Sequence, residues 1–466
     1  MILKHKFGID EYLAKRESKI VEVEYDSQAM INPHILLAGS TGTGKSHQLR
    51  ELLERASMYM DGDSSIDIFD VHAELDIGQA SVVKYSAQTG FGYNPLIINP
   101  DVHSGGVLNS INNFIRLINT TTVQLGTKQQ ATLRYLMIDL YAKHGITEDN
   151  VRSWRIAYEN QPSIQDLIDF TRNKILTMQF GTESIATNIQ SITRLVKSIR
   201  SSKLNEAARQ RLSVQGQSVQ EELSAEDAAD EEAVKEMESQ VDKLNEKTEN
   251  LFQQFLKGIK TGDELDIFFK YNNKEVMLSL VERLTTINSA GIFNHNPPPF
   301  ESSVRCHEIM SLGDDFQKLF VYMRLEAIFR EARDRGHTSG IRYIIVLDEA
   351  HKFFKDESDN IINIIAKEGR KFGIALWCAS QSPTHFSEEF LINTACIVLL
   401  GIHSSYWDMA VKRLRIKLEN LKYTKPKKVV SIKMQLKGAS DPQFRNVVLA
   451  SYESQFHDEL GKQRAA

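Results

Sequence analysis

Residues 39–46, GSTGTGKS, match the spacing G-x-x-x-x-G-K-[ST], which wraps a turn of backbone N–H groups around phosphate oxygens. An apolar stretch, residues 34–38, precedes this turn, and a run of helix-forming residues follows it. In such a turn Lys45 neutralises the β and γ phosphates, and the hydroxyl of Ser46 binds Mg²⁺. The predicted ATP-binding residues are Gly39, Ser40, Thr41, Gly42, Thr43, Gly44, Lys45 and Ser46.

A second apolar strand pattern, YIIVLDE at 343–349, ends in two carboxylates. A nucleotide site of this kind needs a carboxylate at the end of a neighbouring strand to hold the metal, and Asp348 supplies it through water. Glu349 follows at once and is predicted to polarise the attacking water as the catalytic base. A protein that binds nucleotide without hydrolysing it needs no second acid here.

Gln381 follows a third strand pattern, GIALWCAS at 373–380. A polar residue at the tip of a strand between the phosphate strand and the metal strand can sense the γ-phosphate. Together these residues predict an α/β fold, a RecA-like P-loop ATPase core of the additional-strand, catalytic-glutamate type. Such enzymes commonly work as rings, because an arginine of the adjoining subunit completes each active site.

The elements around these motifs predict a parallel α/β core with an inserted, mainly helical domain. Further strands are predicted at 19–24, 66–70, 81–86, 396–401 and 447–452. From about residue 107 to residue 290 the apolar residues recur at spacings of three and four, which favours helices. The predicted boundaries are 1–30 for an N-terminal strand segment, 31–106 and 291–410 for the ATPase core, 107–290 for the insertion and 411–466 for a basic C-terminal segment.

Two segments carry strong charge. Within 214–249, residues 221–246 hold eleven acidic residues against two lysines, which indicates either a solvated or partly disordered helix or an acidic docking arm for a partner. Residues 411–437 hold ten Lys or Arg against one Glu. That run is either a solvated face, a contact with DNA phosphates or a surface that packs on an acidic neighbour.

Composition sets broad limits on the class of protein. The 466 residues are 41% hydrophobic and 25% charged, with a net charge of −5, which is typical of a soluble globular protein. Three cysteines (Cys306, Cys378 and Cys396) lack metal-ligand spacing, and Cys378 and Cys396 are expected to be buried and inert. The amino terminus lacks an apolar signal core and no stretch approaches a membrane span, so a cytoplasmic location is expected.

Several motifs resemble the HerA/FtsK group of DNA-pumping ATPases, and HerA more than FtsK. They are LDEAHKFF, IAKEGRKFGIALWCASQSP and FLINTACIVLL, with FDVHAELD and GYNPL upstream. The resemblance covers residues 31–100 and 312–403 in the family's order. It implies ATP and Mg²⁺ as cofactors, a homo-hexameric ring, ATP-driven movement on double-stranded DNA, and a nuclease or other effector as partner.

The resemblance also implies roles for residues that spacing alone does not assign. Arg370 matches the family's arginine before the sensor strand, so it is expected to reach into the neighbour's site; the alternatives are Lys371 as that finger, or an Arg370 salt-bridged at its helix end. Asp70, His72 and Glu74 match a polar loop beside the nucleotide. The family's glycine in that loop is Ala73 here. HerA proteins normally carry a small β-barrel before the P-loop, whereas 38 residues precede Gly39 here.

The predicted function is therefore an ATP-hydrolysing, hexameric DNA translocase or helicase of the HerA type. It would work with a nuclease or other effector, in a setting such as anti-phage defence. Two alternatives stay open: a pump ATPase for conjugative DNA transfer or packaging, and an ATP-dependent ring scaffold that activates an effector. Hydrolysis measured with and without duplex DNA separates these classes.

Overall fold

The computed structural model describes residues 1–180, 183–213, 223–258, 271, 273–355, 360–439 and 442–465. The chain divides into two compact units: residues 1–93, 120–122 and 290–466 form the first, and residues 94–119 and 123–289 form the second. The domain boundaries expected from the sequence stay predictions.

The first unit is built on one sheet of eleven strands, in the order β2-β1-β11-β10-β9-β3-β8-β7-β4-β6-β5. The strands are β1 Lys4–Asp10, β2 Glu22–Asp26, β3 Ile35–Gly39, β4 Ser65–Asp70, β5 Ser81–Lys84, β6 Val304–Glu308, β7 Tyr343–Leu347, β8 Ile374–Ser380, β9 Cys396–Gly401, β10 Val429–Met434 and β11 Arg445–Leu449. From β9 to β5 all neighbours are parallel, and the four strands beyond β9 pair antiparallel. The predicted α/β P-loop ATPase fold is confirmed.

Helices lie along the whole chain. They are α1 Glu11–Arg16, α2 Lys45–Met58, α3 Val107–Thr121, α4 Thr127–Lys143, α5 Ile164–Phe180, α6 Glu183–Ser213, α7 Leu223–Gly258, α8 Lys274–Ser289, α9 Asp314–Asp334, α10 Ile361–Glu368, α11 Glu388–Ile392, α12 Trp407–Leu414, α13 Leu418–Tyr423 and α14 Glu453–Ala465. No helix within the described ranges is long and apolar enough to cross a membrane.

The central parallel strands are buried on both faces, which is why they read as continuous apolar runs. All five residues of β3 and of β7 are buried. Helix α2 buries Leu49, Leu52 and Leu53 in the core on one face of the sheet. On the opposite face the ring of Phe320, in α9, contacts the ring of Phe69 in β4 edge to face.

Three strands were not predicted, and three predicted strands differ from the structure by two residues or more at an end. The predicted strand at 19–24 runs from Glu22 to Asp26, the one at 81–86 ends at Lys84, and the one at 447–452 ends at Leu449, where a 3₁₀ turn follows. Strands β1 and β6 are rich in charged or polar residues, so their apolar alternation is weak. β10 has four apolar residues and one lysine, Lys433, but it lies inside 411–437, a run interpreted by its charge. The three cysteines are buried, as expected for Cys378 and Cys396.

The second unit is made mainly of helices α3 to α8. Helix α4 packs on α5 and α8, and its residues Leu133, Leu136 and Leu140 are buried. Most of the acidic segment forms α7, whereas residues 214–222 lie outside the described residues. Glu236 and Asp242 are exposed, and Glu238 pairs with Lys203 of α6 at 2.7 Å. The described acidic side chains of α7 therefore fit a solvated helix.

The order of the parallel strands brings the sequence motifs to one edge of the sheet. β8 lies between β3 and β7, as the Gln381 hypothesis requires. Because β3, β8 and β7 are parallel, the P-loop, Gln381 and Asp348 all follow carboxyl ends at the same edge. Ligands of open α/β sheets bind at that edge.

Candidate active site

The P-loop turn links β3 to α2 and needs its glycines. Gly42 and Gly44 have φ angles of 81° and 98°, in the left-handed region where a side chain is strained. Thr43 closes the turn, because its Oγ1 donates a hydrogen bond to the carbonyl of Ser40 at 2.7 Å. The turn is anchored to the sheet by the N–H of Ser40, which donates to the carbonyl of Gly401 at 2.9 Å. Thr41 and Gly42 are exposed, so a ligand can reach the loop.

Lys45 and Glu349 meet at the centre of this edge. The Lys45 ammonium donates a hydrogen bond to Oε1 of Glu349, and both side chains are about nine-tenths buried. Glu349 has a φ of 48°, a left-handed conformation that is rare for a residue with a side chain. Strained backbone of this kind is concentrated at functional sites.

The two carboxylates have pKa values that are shifted in opposite directions. Burial raises the pKa of Asp348 to about 6; Glu349 and Asp70 add to this, while Lys45 opposes it. Burial would also raise the pKa of Glu349, but its contacts with His351 and Lys45 outweigh burial and bring it to about 2. Glu349 is therefore ionised at neutral pH. Asp348 is a buried carboxyl that would gain from a nearby cation.

Two histidines that the sequence reasoning did not assign lie beside Glu349. His351 Nδ1 is 3.1 Å from Oε2 of Glu349. Ser380, the last residue of β8, has its hydroxyl 3.2 Å from His385 Nδ1, and the two histidine rings are 4.9 Å apart. His351 stands two residues after Glu349 in LDEAH, and that short spacing is the signal that could have found it.

The loop after β4 lies next to the metal strand. Asp70 accepts hydrogen bonds from the N–H groups of His72 at 3.0 Å and Ala73 at 2.8 Å, so its carboxylate shapes the loop. The charges of Asp70 and His72 both act on the pKa of Asp348, which places the two residues beside it. Glu74 is exposed. Ala73 has a φ of 56°, which is the physical reason for a glycine at this position.

Gln381 and Arg370 lie at opposite ends of β8. Gln381 follows the carboxyl end of the strand and is exposed beside the P-loop edge. Arg370 lies in a 3₁₀ turn, Gly369–Phe372, before the strand. With Lys371, Lys367 and Lys437 it lines a cavity of about 480 Å³ at that end. Seven residues of β8 separate the two positions, and a strand of that length spans roughly 23 Å. The structure therefore does not bring Arg370 to Lys45 of the same chain.

The residues present fit Mg²⁺ and a triphosphate. Ser46 lies in the first turn of α2, next to Lys45. Asp348 and Ser46 are the oxygen ligands that Mg²⁺ prefers, and it usually keeps several waters and phosphate oxygens besides. The raised pKa of Asp348 is the observation that favours a cation here.

Comparison with solved structures finds chains that resemble this one, and VirB4 shares its fold. VirB4 of Thermoanaerobacter pseudethanolicus matches with a TM-score of 0.59 and 14% identity, over 97% of each chain. The plasmid coupling protein TrwB, in complex with ADP and Mg²⁺, matches with a TM-score of 0.46 and 11% identity, over 96% of this chain and 95% of that one.

Comparison of sequences points to one family. The probable helicase MJECL08 of Methanocaldococcus jannaschii is 40% identical over 63 residues, which are 13% of this chain. The chain spans about an eighth of the length of that curated relative (12%). The family model described as the central domain of helicase HerA matches residues 12–286, more than half of the chain, and includes the P-loop. The chain therefore belongs to the HerA helicase central-domain family of P-loop ATPases.

Proposed function

We propose that this chain is a Mg²⁺-dependent ATPase whose reaction takes place at the carboxyl edge of the central strands. The contact between Lys45 and Glu349 carries the proposal, since it joins a phosphate-binding lysine to a water-activating carboxylate over 304 residues of sequence. A triphosphate at the P-loop competes for Lys45. When Lys45 moves to the phosphates, Glu349 is left ionised and free to orient the attacking water.

The other site residues complete this scheme. Gly39 to Gly44 would supply backbone N–H groups to the phosphates, and Ser46 and Asp348 would hold Mg²⁺, Asp348 through water. Bound Mg²⁺ neutralises charge on the β and γ phosphates. Gln381 senses the γ-phosphate from the tip of β8. His351 keeps Glu349 in place through its contact with Oε2.

The proposal includes a homo-hexameric ring in which Arg370 completes the site of the adjoining subunit. Its support is that Arg370 is exposed and forms no ion pair with the described residues. Arg370 also lies at the amino end of β8, far from the P-loop of its own chain. Rings that mix wild-type and Arg370→Ala subunits test this. Activity should fall more steeply than the variant's fraction, with Lys371→Ala as the control. A linear decline, or full activity in a monomer, would contradict the ring site.

The work done by hydrolysis is proposed to be movement on double-stranded DNA, as a translocase or helicase of the HerA type. Membership of the HerA family supports this part. We propose a nuclease or other effector enzyme as the partner, and anti-phage defence as the setting. This part of the proposal rests only on what is common in the family.

The experiment measures ATP hydrolysis with and without linear duplex DNA across a salt series. Duplex DNA should stimulate hydrolysis at low salt and lose its effect between roughly 50 and 200 mM, because phosphate contacts depend on counterion release. The Glu349→Gln variant is the control for contaminating ATPases. Hydrolysis that ignores duplex DNA but rises with the effector would favour the ring scaffold instead.

A further inference from the structure

The basic run 411–437 does not form one surface, although the sequence treats it as one. Arg413 donates hydrogen bonds to the carbonyls of Thr384 and Phe386, at 2.9 and 2.8 Å. Lys428 lies over the ring of Tyr452, 4.5 Å from its centroid. The positive charges of this run therefore serve different places in the first unit, and each lysine must be considered separately.

One of these lysines, Lys427, lies against the P-loop. Its N–H donates a hydrogen bond to the carbonyl of Thr43 at 3.3 Å. Its Cγ is so close to Gly44 that a Cβ on that glycine would lie 3.3 Å from it. Gly44 immediately precedes Lys45, so the stem of Lys427 flanks the backbone N–H groups that face the phosphates.

A tight turn holds Lys427 in this position. The N–H groups of Lys428 and Val429 both donate to the carbonyl of Lys425, at 3.0 and 2.9 Å. Lys427 itself has a φ of 61°, a conformation that costs a residue with a side chain roughly 1–2 kcal/mol. With Ala73 and Glu349 it is one of three residues around the site that keep this strain.

The charge of Lys427 is not used by the described protein. Its side chain is exposed and forms no ion pair with the residues that the structure describes. The side chain continues beyond Cγ through Cδ and Cε to Nζ. This length is enough for the ammonium to reach a phosphate bound to the N–H of Gly44. A positive charge beside a phosphate loop strengthens binding of di- and triphosphates.

We infer that Lys427 is a second cationic ligand of the nucleotide phosphates, supplied by the same chain from the rim of the P-loop. This inference rests on the proposed ATPase function. Lys45 exchanges between Glu349 and the phosphates, whereas Lys427 lies beside Gly44 and forms no ion pair with Asp348 or Glu349 among the described residues. Lys427 therefore acts on nucleotide affinity rather than on the hydrolytic step.

The test compares Lys427→Ala with Lys427→Arg and with Lys425→Ala, a neighbouring lysine with an exposed side chain. Equilibrium binding of ADP and ATP is measured at several salt concentrations, with thermal unfolding as a check on the fold. Lys427→Ala should weaken both nucleotides about tenfold, the loss expected for one charge-assisted contact. Lys427→Arg should restore most of the affinity, and Lys425→Ala should bind as the wild type does.

Two outcomes would overturn the inference. Lys427→Ala that binds nucleotide as tightly as Lys425→Ala would show that only the backbone of the turn matters. Lys427→Arg as weak as Lys427→Ala, with a lowered unfolding temperature, would show a structural role. Lys45→Ala separates this inference from the proposed function: if it too leaves affinity unchanged, the P-loop assignment itself fails.

Discussion

Two polar clusters in the same sheet contain the same kinds of side chain. The edge cluster is made of Lys45, Asp348, Glu349, His351, Ser380 and His385. The inner network is made of Asp67, Tyr85, Arg305 and His307. In the inner network the Tyr85 hydroxyl is 2.8 Å from His307 Nδ1, and His307 Nε2 is 3.0 Å from Asp67 Oδ1. This hydroxyl, imidazole and carboxylate would attract attention in any search for catalytic residues.

Position separates the two clusters. Asp67 and His307 lie inside β4 and β6 and are fully buried, with His307 stacked on Phe69. The edge cluster follows strand ends, next to the exposed P-loop. Backbone strain marks the same division, because Glu349, Ala73 and Lys427 have positive φ near the edge and Asp67, Tyr85 and His307 do not. Residue types alone therefore do not define a site; access at the carboxyl edge does.

The electrostatics of the two aspartates differ in sign. Burial would raise the pKa of Asp67, but His307, Arg305 and Arg324 outweigh it and lower that pKa below its usual value. The pKa of Asp348 is raised to about 6 instead. The charge of Asp67 is satisfied within the protein, whereas burial dominates at Asp348, the carboxylate that we propose holds Mg²⁺.

The largest expected effect is on turnover. Glu349→Gln should lower ATP hydrolysis by about 100-fold to 10,000-fold, the usual contribution of a general base, and leave the fold intact. Asp67→Asn should stay within a few-fold of the wild type when assayed below its unfolding temperature. Steady-state phosphate release measures both. If Asp67→Asn kept its fold but lost ATP hydrolysis as Glu349→Gln does, the inner network would also be catalytic and the comparison would be wrong.

The next effect is on stability, where the two Asp→Asn changes should have opposite signs. At pH 8 Asp67→Asn should lower the free energy of unfolding by roughly 1–3 kcal/mol, because a satisfied buried charge is lost. Asp348→Asn should raise it by up to about 3 kcal/mol, because a buried carboxylate with a pKa shifted by two units is removed.

The pH dependence follows from the same shifts. A raised folded-state pKa means that Asp348 costs stability as pH rises from about 4 to about 6, so the gain from Asp348→Asn should vanish near pH 4. Asp67 contributes above its unfolded pKa, so the loss in Asp67→Asn should persist at pH 5. Urea unfolding in Mg²⁺-free buffer measures both series. If Asp67→Asn and Asp348→Asn changed the free energy of unfolding in the same direction at pH 8, the comparison would be contradicted.

The smallest effect concerns backbone strain at the edge. Ala73→Gly should raise the free energy of unfolding by about 0.5–1 kcal/mol, since relief of the left-handed strain exceeds the entropy that glycine adds to the unfolded chain. Ala80→Gly is the matched control, because Ala80 has no positive φ. It should be destabilising. Similar changes in the free energy of unfolding of the two variants would show that the backbone at Ala73 is not strained.

Features that depend on a short local pattern of residues could be predicted from the sequence. The P-loop, Asp348, Glu349 and Gln381 each follow an apolar strand. The order of the eleven strands depends on tertiary pairing, which no local pattern encodes. Strand β6 escaped prediction because Arg305 and His307 serve the inner network and break its apolar run. His385 and Lys427 escaped because tertiary contacts bring them to the site from distant segments, and no spacing in the sequence records such contacts.

The most direct test of the central claim is equilibrium binding of ATP to the wild type, Lys45→Ala and Glu349→Gln. In the proposed mechanism Lys45 contacts the phosphates, whereas Glu349 acts only on the attacking water. We therefore expect Lys45→Ala to lose ATP binding, and Glu349→Gln to bind ATP normally and retain it uncleaved. Comparable ATP affinity in the two variants would contradict the roles assigned to both residues.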